Sequence, residues 1–369
     1  MSTRHGGRWQ RSKATLSPAE WRRAGGLAAA IIALHVIGFG VLVLVVAPQD
    51  LRLGSGAVFG LGLGVTAYTL GMRHAFDADH IAAIDNATRK LMGEGQRPLS
   101  VGFFFSLGHS SIVFVLAGLL ALGIRGLSSA VGDDSSTLHQ ATDLVGPSIS
   151  GIFLIAIGLV NLAALVGIVR VFLRIRTGAF DEHELEAQLQ SRGVLTRVFA
   201  RATDAIRQPW HMLGLGMLFG LGFDTATEVA LLAAAGTAAA ASGVPFYAIL
   251  CLPVLFAAGM SLLDTNDGAF MSVAYGWAFA KPVRKVFYNM TVTGLSVAVA
   301  LGIGTVELLS VVAKVLHRTN GVLGGMATID LNGVGYAMVA MFAVTWLLAL
   351  AVWRLGHIEE RWARDVGER

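Results

Sequence analysis

The sequence predicts an all-α integral membrane protein of eight transmembrane helices with both termini in the cytoplasm. Three observations carry that reading. Of 369 residues, 54% are hydrophobic and only 14% charged, where an ordinary soluble domain has about 25% charged residues. The apolar residues fall in long runs rather than in the half-buried periods of a water-soluble fold. Every second loop between those runs is rich in Lys and Arg. The lone Cys251 excludes a disulfide framework and a thiolate cluster. The net charge of +4 calls for no nucleic acid, because a cytoplasmic excess of basic residues accounts for it.

A helix crosses about 30 Å of hydrocarbon with roughly 20 apolar residues. The first run, 25–47, follows a polar basic tail, 1–24, and is long enough to span rather than to serve as a cleaved leader. The second, 56–86, opens with Gly56, Gly60 and Gly64 at four-residue steps, a spacing that lets helix backbones approach closely in lipid. It closes on a dense polar stretch. The third run is 99–123, and an outer loop, 124–147, carries Asp133, Asp134, His139 and Asp143 before the fourth run, 148–173. A charged connector, 177–210, then starts acidic and ends basic, as either a surface-lying amphipathic helix or a solvated linker. The fifth run, 211–238, repeats the small-residue step at Gly216 and Gly220. The sixth, seventh and eighth runs are 244–265, 286–312 and 334–355, and a tail of 356–369 follows. The membrane part thus divides into helices 1–4 within 25–176 and helices 5–8 within 211–355.

Orientation follows from the basic residues. The N-terminal tail, the loop with Arg89, Lys90 and Arg97, and the loop with Lys281, Arg284 and Lys285 are all basic. So are the connector region, with seven arginines from Arg170 to Arg207, and the C-terminal tail. The opposite side holds only Arg52, Arg125, Lys314 and Arg318. The positive-inside rule places the basic loops in the cytoplasm.

Ionisable groups are costly in a bilayer, so they usually face a bundle interior and mark a substrate path. The second run concentrates them in Arg73, His74, Asp77, Asp79, His80, Asp85 and Asn86. On a continuous helix, His74, Asp77 and His80 share a stripe about 120° wide, while Asp79 projects about 200° from Asp77. Either Asp79 faces another helix, or the helix is distorted so that both carboxylates converge. Imidazole nitrogen with carboxylate oxygen and no thiolate is a ligand set for a divalent first-row transition metal. A proton relay, or an ion-pair network around Arg73, uses the same residues. Further polar groups lie in other runs: His35 in the first, His109 in the third, Asp224 and Glu228 on one face of the fifth, and Asp264 and Asp267 in the sixth. Asp267 stands where that run ends, and either lines the path or caps the helix. Asn161 and Glu307 read as helix-packing contacts.

An internal echo accompanies them. The stretch from Phe76 to Ala82 resembles that from Phe223 to Ala230 with one insertion, and Phe105–Gly108 resembles Phe256–Gly259. With the second helix running inward and the fifth outward, this suggests inverted three-helix repeats, helices 2–4 and 5–7, of the kind found in secondary transporters.

The motifs resemble those of the nickel/cobalt transporters of bacteria and some fungi. The family signature, a histidine, four residues and then Asp-His, stands here as His74 and Asp79-His80. Phe105–Ser110, Leu221–Glu228 and Gly259–Thr265 with Asp267-Gly268 match three further motifs, in the same order. The resemblance implies a secondary transporter, not an enzyme, that imports Ni²⁺ and Co²⁺ through the cytoplasmic membrane without an ATPase subunit. The metal is the cargo, and no resident cofactor is expected. The implied metal-site residues are His74, Asp77, Asp79, His80 and His35, with Arg73, Asp85, Asn86, His109, Asp224, Glu228, Asp264 and Asp267 along the path or behind the ligands. His35 matches a family position that is His in members carrying cobalt as well as nickel. Membrane potential, with proton exchange as a release step, would drive import. Metal efflux is the alternative direction, although exporters often carry a histidine-rich cytoplasmic segment and this connector has only His183. An intramembrane metalloenzyme would want His-Glu-x-x-His and an open zinc position, a pattern this chain lacks.

Overall fold

The computed structural model describes residues 17–53, 58–122, 137–176, 206–221, 244–279, 282–316 and 334–341, with a few single positions between 231 and 344. The described residues are almost wholly helical. In chain order the helices are α1 (Pro18–Gly40), α2 (Leu61–His74), α3 (Ala78–Gly93), α4 (Val101–Ala121), α5 (Thr137–Arg176), α6 (Met212–Phe219), α7 (Phe246–Phe279), α8 (Pro282–Val315) and α9 (334–341). One small antiparallel sheet pairs Leu51 with Phe59 and Arg52 with Val58. Among the described residues, five segments are long and apolar enough to cross a membrane: Pro18–Gln49, Val101–Ala121, Leu144–Gly167, Phe246–Ala274 and Thr293–Val315. They coincide with the predicted first, third, fourth, sixth and seventh runs. The chain is a multi-pass α-helical membrane protein.

Two compact units divide the chain. The first comprises Met1–His74, Pro98–Ala141 and Gln208–Ala269; the second comprises Ala75–Arg97, Thr142–Arg207 and Phe270–Arg369.

In the first unit, α1 begins seven residues ahead of the predicted run. Ser17 Oγ accepts from the Glu20 backbone N–H, and Glu20 Oε2 accepts from the Ser17 N–H at 2.6 Å. Pro18 follows the cap. This reciprocal cap satisfies two donors that a bare helix start would leave open. After Gly40 the helix loosens into a π turn, Val41–Val46, then tightens into a 3₁₀ turn, Ala47–Gln49. Ile32 and Val36 on α1 and Leu44 in the π turn are more than half exposed, as lipid-facing side chains are. The buried Cys251 of α7 donates its thiol to the Gly38 carbonyl at 3.3 Å.

Two helix pairs in this unit meet backbone to backbone, and on the same terms. A Cβ at Gly71 of α2 would strike the Phe256 carbonyl of α7, and one at Gly259 of α7 would strike the Tyr68 carbonyl of α2. Likewise a Cβ at Gly216 of α6 would strike the Phe105 carbonyl of α4, and one at Gly108 of α4 the Leu213 carbonyl of α6. Small residues permit such approach where lipid supplies no hydrophobic drive for helix association. Numbers rise along one helix as they fall along its partner, so both pairs are antiparallel. Helices α4 and α7 are antiparallel too: Gly102 lies against the Asp264 carbonyl, and Ser106 Oγ is 3.0 Å from Ser261 Oγ. Of the four-residue glycine steps read from the sequence, Gly64 sits against Leu42, and Gly216 and Gly220 sit against α4.

In the second unit, Ala78, Ile81 and Ala82 of α3 pack with Leu154, Met271, Ile303 and Met338. A buried polar network ties the same helices together. Ser296 of α8 donates to Asp85, whose Oδ2 lies 3.6 Å from Arg89 Nη2. Asn161 Nδ2 of α5 donates to Asn86 Oδ1 at 2.6 Å, and Ser150 Oγ donates to Glu307 Oε2 at 2.7 Å. The predicted packing roles of Asn161 and Glu307 hold. Helices α5 and α8 cross at Gly151 and Gly304, each meeting the other's carbonyl; Leu308 flanks the first and Ile155 the second. At the start of the described connector residues, the Ile206 carbonyl accepts from Lys90 and the Arg207 carbonyl from Gln96.

Three sequence expectations change. The second run is not one helix: α2 stops at His74 and α3 starts at Ala78, so the single stripe of His74, Asp77 and His80 does not exist. Asp77 is instead the extended cap residue of α3, with φ −65° and ψ 141°. The sixth run does not end near 265; α7 continues to Phe279, which makes Asp267 an interior residue rather than a cap. The outer loop is shorter than predicted, because α5 starts at Thr137 and takes in His139 and Asp143, with Pro147 inside the helix.

Candidate metal centre

The last residue of α2 and the middle of α4 bring two imidazoles together. His74 and His109 are 1% and 2% exposed. Their Nε2 atoms lie 2.9 Å apart, with ring centroids at 4.6 Å and planes inclined at 57°. The His74 ring packs on Phe256 at 5.6 Å, and the His109 ring is 6.4 Å from Phe105. The tight α2–α7 and α4–α6 crossings at Gly71 and Gly108 hold the two helices that carry the rings.

The separation suits two species. One neutral ring can donate its Nε2–H to the lone pair of the other. Alternatively, two nitrogens each about 2.0–2.1 Å from one ion, at right angles, stand about 2.9 Å apart. Right-angled nitrogens belong to square-planar and octahedral ions. Because α2 ends at His74, the helix's unsatisfied terminal carbonyls and the negative end of its dipole lie beside that ring. A cation is favoured there.

The rest of the signature belongs to the second unit. Asp77 and His80 are 5% and 1% exposed, and Asp79 is half-buried in the first turn of α3. The Asp77 side chain makes no capping bond to α3. Both carboxylates stand at the N-terminus of α3. Arg73 is exposed, so no buried ion-pair network centres on it.

His35 is engaged elsewhere. Its Nδ1 donates to the Ile31 carbonyl at 2.8 Å, leaving Nε2 to accept from the Tyr68 hydroxyl at 3.2 Å. The ring meets Tyr68 edge-on at 5.4 Å. His35 therefore touches α2 at Tyr68, six residues before His74. Asp85 and Asn86 are held by Ser296, Arg89 and Asn161. Asp264 is buried and Asp267 half-buried on α7. Asp224 and Glu228 lie outside the described residues, as do the N-terminal tail before residue 17, most of the connector and the C-terminal tail.

Sequence reasoning kept His109 as a path residue rather than as the ring facing His74, and it passed over Tyr68. A phenol alone in an apolar helix, opposite a lone histidine in another, is the signal that could have found it.

The model of the family described as high-affinity nickel-transport protein matches residues 60–352. The nickel transporter NicT of Mycobacterium tuberculosis is 60% identical over 347 residues, covering 94% of this chain and 93% of that protein. The nickel transporter NixA of Staphylococcus aureus is 44% identical over 336 residues, 91% of this chain and 96% of its own length. The cobalt transport protein NhlF of Rhodococcus rhodochrous is 37% identical over 347 residues, 94% of each chain. No solved structure matches.

Proposed function

Since this chain belongs to the high-affinity nickel-transport protein family, we propose that it imports Ni²⁺ and Co²⁺ across the cytoplasmic membrane, with His74 and His109 as paired ligands on the ion's route. The observation that carries this reading is the buried imidazole pair, Nε2 to Nε2 at 2.9 Å. The His-x4-Asp-His signature adds His80 and Asp79, with Asp77 close by in the chain, as further candidate donors. Nitrogen with oxygen donors and no thiolate suits nickel and cobalt better than softer ions. The five apolar segments join the broken second run and the fifth and eighth runs in an eight-span topology, both termini inside.

The driving force is the membrane potential. A divalent cation moving inward gains about 4.6 kcal/mol per 100 mV, twice the value for one charge, enough for a gradient above a thousandfold. No nucleotide site or ATPase subunit is needed. Ligation requires lone pairs on the imidazoles and charge on the carboxylates, so protonation weakens the site and assists release.

Purified protein in liposomes, with an inside-negative potential and radiolabelled nickel or cobalt outside, tests this. Saturable uptake that collapses with the potential, and disappears in His80→Ala, is the expected result. Accumulation only against an outward gradient would make the protein an exporter. No movement of metal in the wild type would end the reading.

His35 enters through Tyr68 rather than as a described ligand. In the same liposomes, His35→Asn lowers cobalt uptake relative to nickel uptake by several-fold, and Tyr68→Phe shifts the ratio in the same direction by less. Equal losses for both metals refute a selectivity role.

A further inference from the structure

The two backbone-to-backbone helix pairs of the first unit correspond residue by residue. Tyr68 and Gly71 of α2 meet Gly259 and Phe256 of α7; Leu213 and Gly216 of α6 meet Gly108 and Phe105 of α4. All four segments use a three-residue step. Replacing α2 by α6 and α7 by α4 therefore reproduces the set of contacts. The correspondence extends to the rings. Three residues after Gly71 stands His74, packed on Phe256 at 5.6 Å; three residues after Gly216 stands Phe219, packed on Phe105 at 5.2 Å. It extends to identities as well, with Met72 matching Met217 and Ser110 matching Ser261. One residue after Gly108 is His109, and one after Gly259 is Met260.

We infer that the first unit is a two-fold repeat in which Phe219 and Met260 hold the positions that His74 and His109 hold in the other copy, forming a second, silenced position for a divalent transition metal. The inference rests on the reading of His74 and His109 as ligands. The axis exchanges α4 with the antiparallel α7, so it lies across the helices, in the plane of the membrane, as in inverted-repeat transporters. Phe219 and Met260 are 4% and 0% exposed, as buried as the histidines they replace. They offer one thioether, whose sulfur already lies 3.5 Å from Ser110 Oγ, and no imidazole. Neither of these two side chains is an adequate ligand for a hard-to-borderline dication. The repeat thus keeps its shape in both halves while its metal chemistry stays in one.

Equilibrium dialysis with nickel alone on the purified full chain tests the inference. The Phe219→His/Met260→His variant is expected to bind twice the nickel of the wild type. Adding His74→Ala and His109→Ala to it should return the capacity to the wild-type level, carried now by the new pair. A folded double variant, with unchanged elution and melting, that binds no additional nickel overturns the inference. If the double variant does not fold, the exchange variant decides the matter. It combines His74→Phe and His109→Met with Phe219→His and Met260→His, and so keeps the core composition. Nickel binding retained in it supports the repeat; lost binding, or failure of this composition-preserving exchange to fold, refutes the equivalence. Wild type that binds no nickel defeats the import reading itself, a result distinguishable from a wild type that binds while the variants gain nothing.

Discussion

Nickel uptake at trace concentration falls to background when either His74 or His109 is replaced by alanine, while the protein remains in the membrane at normal abundance. Each substitution removes one nitrogen of a pair whose Nε2 atoms stand 2.9 Å apart. Losing a group that merely orients a ligand costs about 10–100-fold in metal affinity, so losing the ligand should cost more than 100-fold. Raising external nickel by that factor should restore part of the flux if the defect is in binding. The check is a concentration series of labelled nickel in liposomes, with a mild-detergent melting curve for each variant. A folded His109→Ala protein that transports at wild-type affinity would remove His109 from the ion's route.

The second large effect concerns stability. Asp85 lies fully buried beside Arg89, which is only 5% exposed, and accepts from Ser296. Taking away one member of a buried ion pair costs about 3–5 kcal/mol, because the other charge stays desolvated. Asp85→Ala should therefore lower the detergent melting midpoint sharply. Adding Arg89→Leu should recover much of the loss, since an apolar pair carries no such penalty. The coupling between the two substitutions, read from a double-mutant cycle, measures the interaction directly. Additive losses would mean that Asp85 acts on something other than Arg89. In that event its place belongs on the ion's path, as the sequence first suggested.

The spans were legible because lipid imposes a simple length on apolar runs, and the runs from 99 to 123 and from 286 to 312 needed no tertiary knowledge. The break after His74 was open only as an alternative. Its residues, Ala75 and Phe76, include no proline or glycine to announce it. The break packs against residues far along the chain: a Cβ at Gly335 would strike the Phe76 carbonyl, and Tyr336 stacks on the Phe76 ring at 4.8 Å. The continuation of α7 was hidden for the opposite reason. Asp264, Asn266 and Asp267 look like the end of a helix, yet Asn266 bonds back to the Leu262 carbonyl and Asp264 is buried. The metal-ligand chemistry was written in the composition of one stretch, whereas the ring that faces His74 came from another helix. Periodicity along a helix says which face a residue occupies, but it does not say which helix lies opposite. The faint likeness of Phe105–Gly108 to Phe256–Gly259 turned out to mark equivalent contacts, and those contacts gave the register that similarity alone left loose.

The sole thiol of this chain is 3% exposed and bonded to the Gly38 carbonyl. A thiol so enclosed reacts poorly, because labelling reagents need access and a thiolate. The native protein is thus already a quiet background for site-directed labelling. Single cysteines introduced at positions the sequence predicts to lie in loops, such as Arg125 and Lys281, can be read with membrane-impermeant maleimides on intact cells, without first replacing Cys251. The sidedness of each loop then becomes a question of colour on a gel.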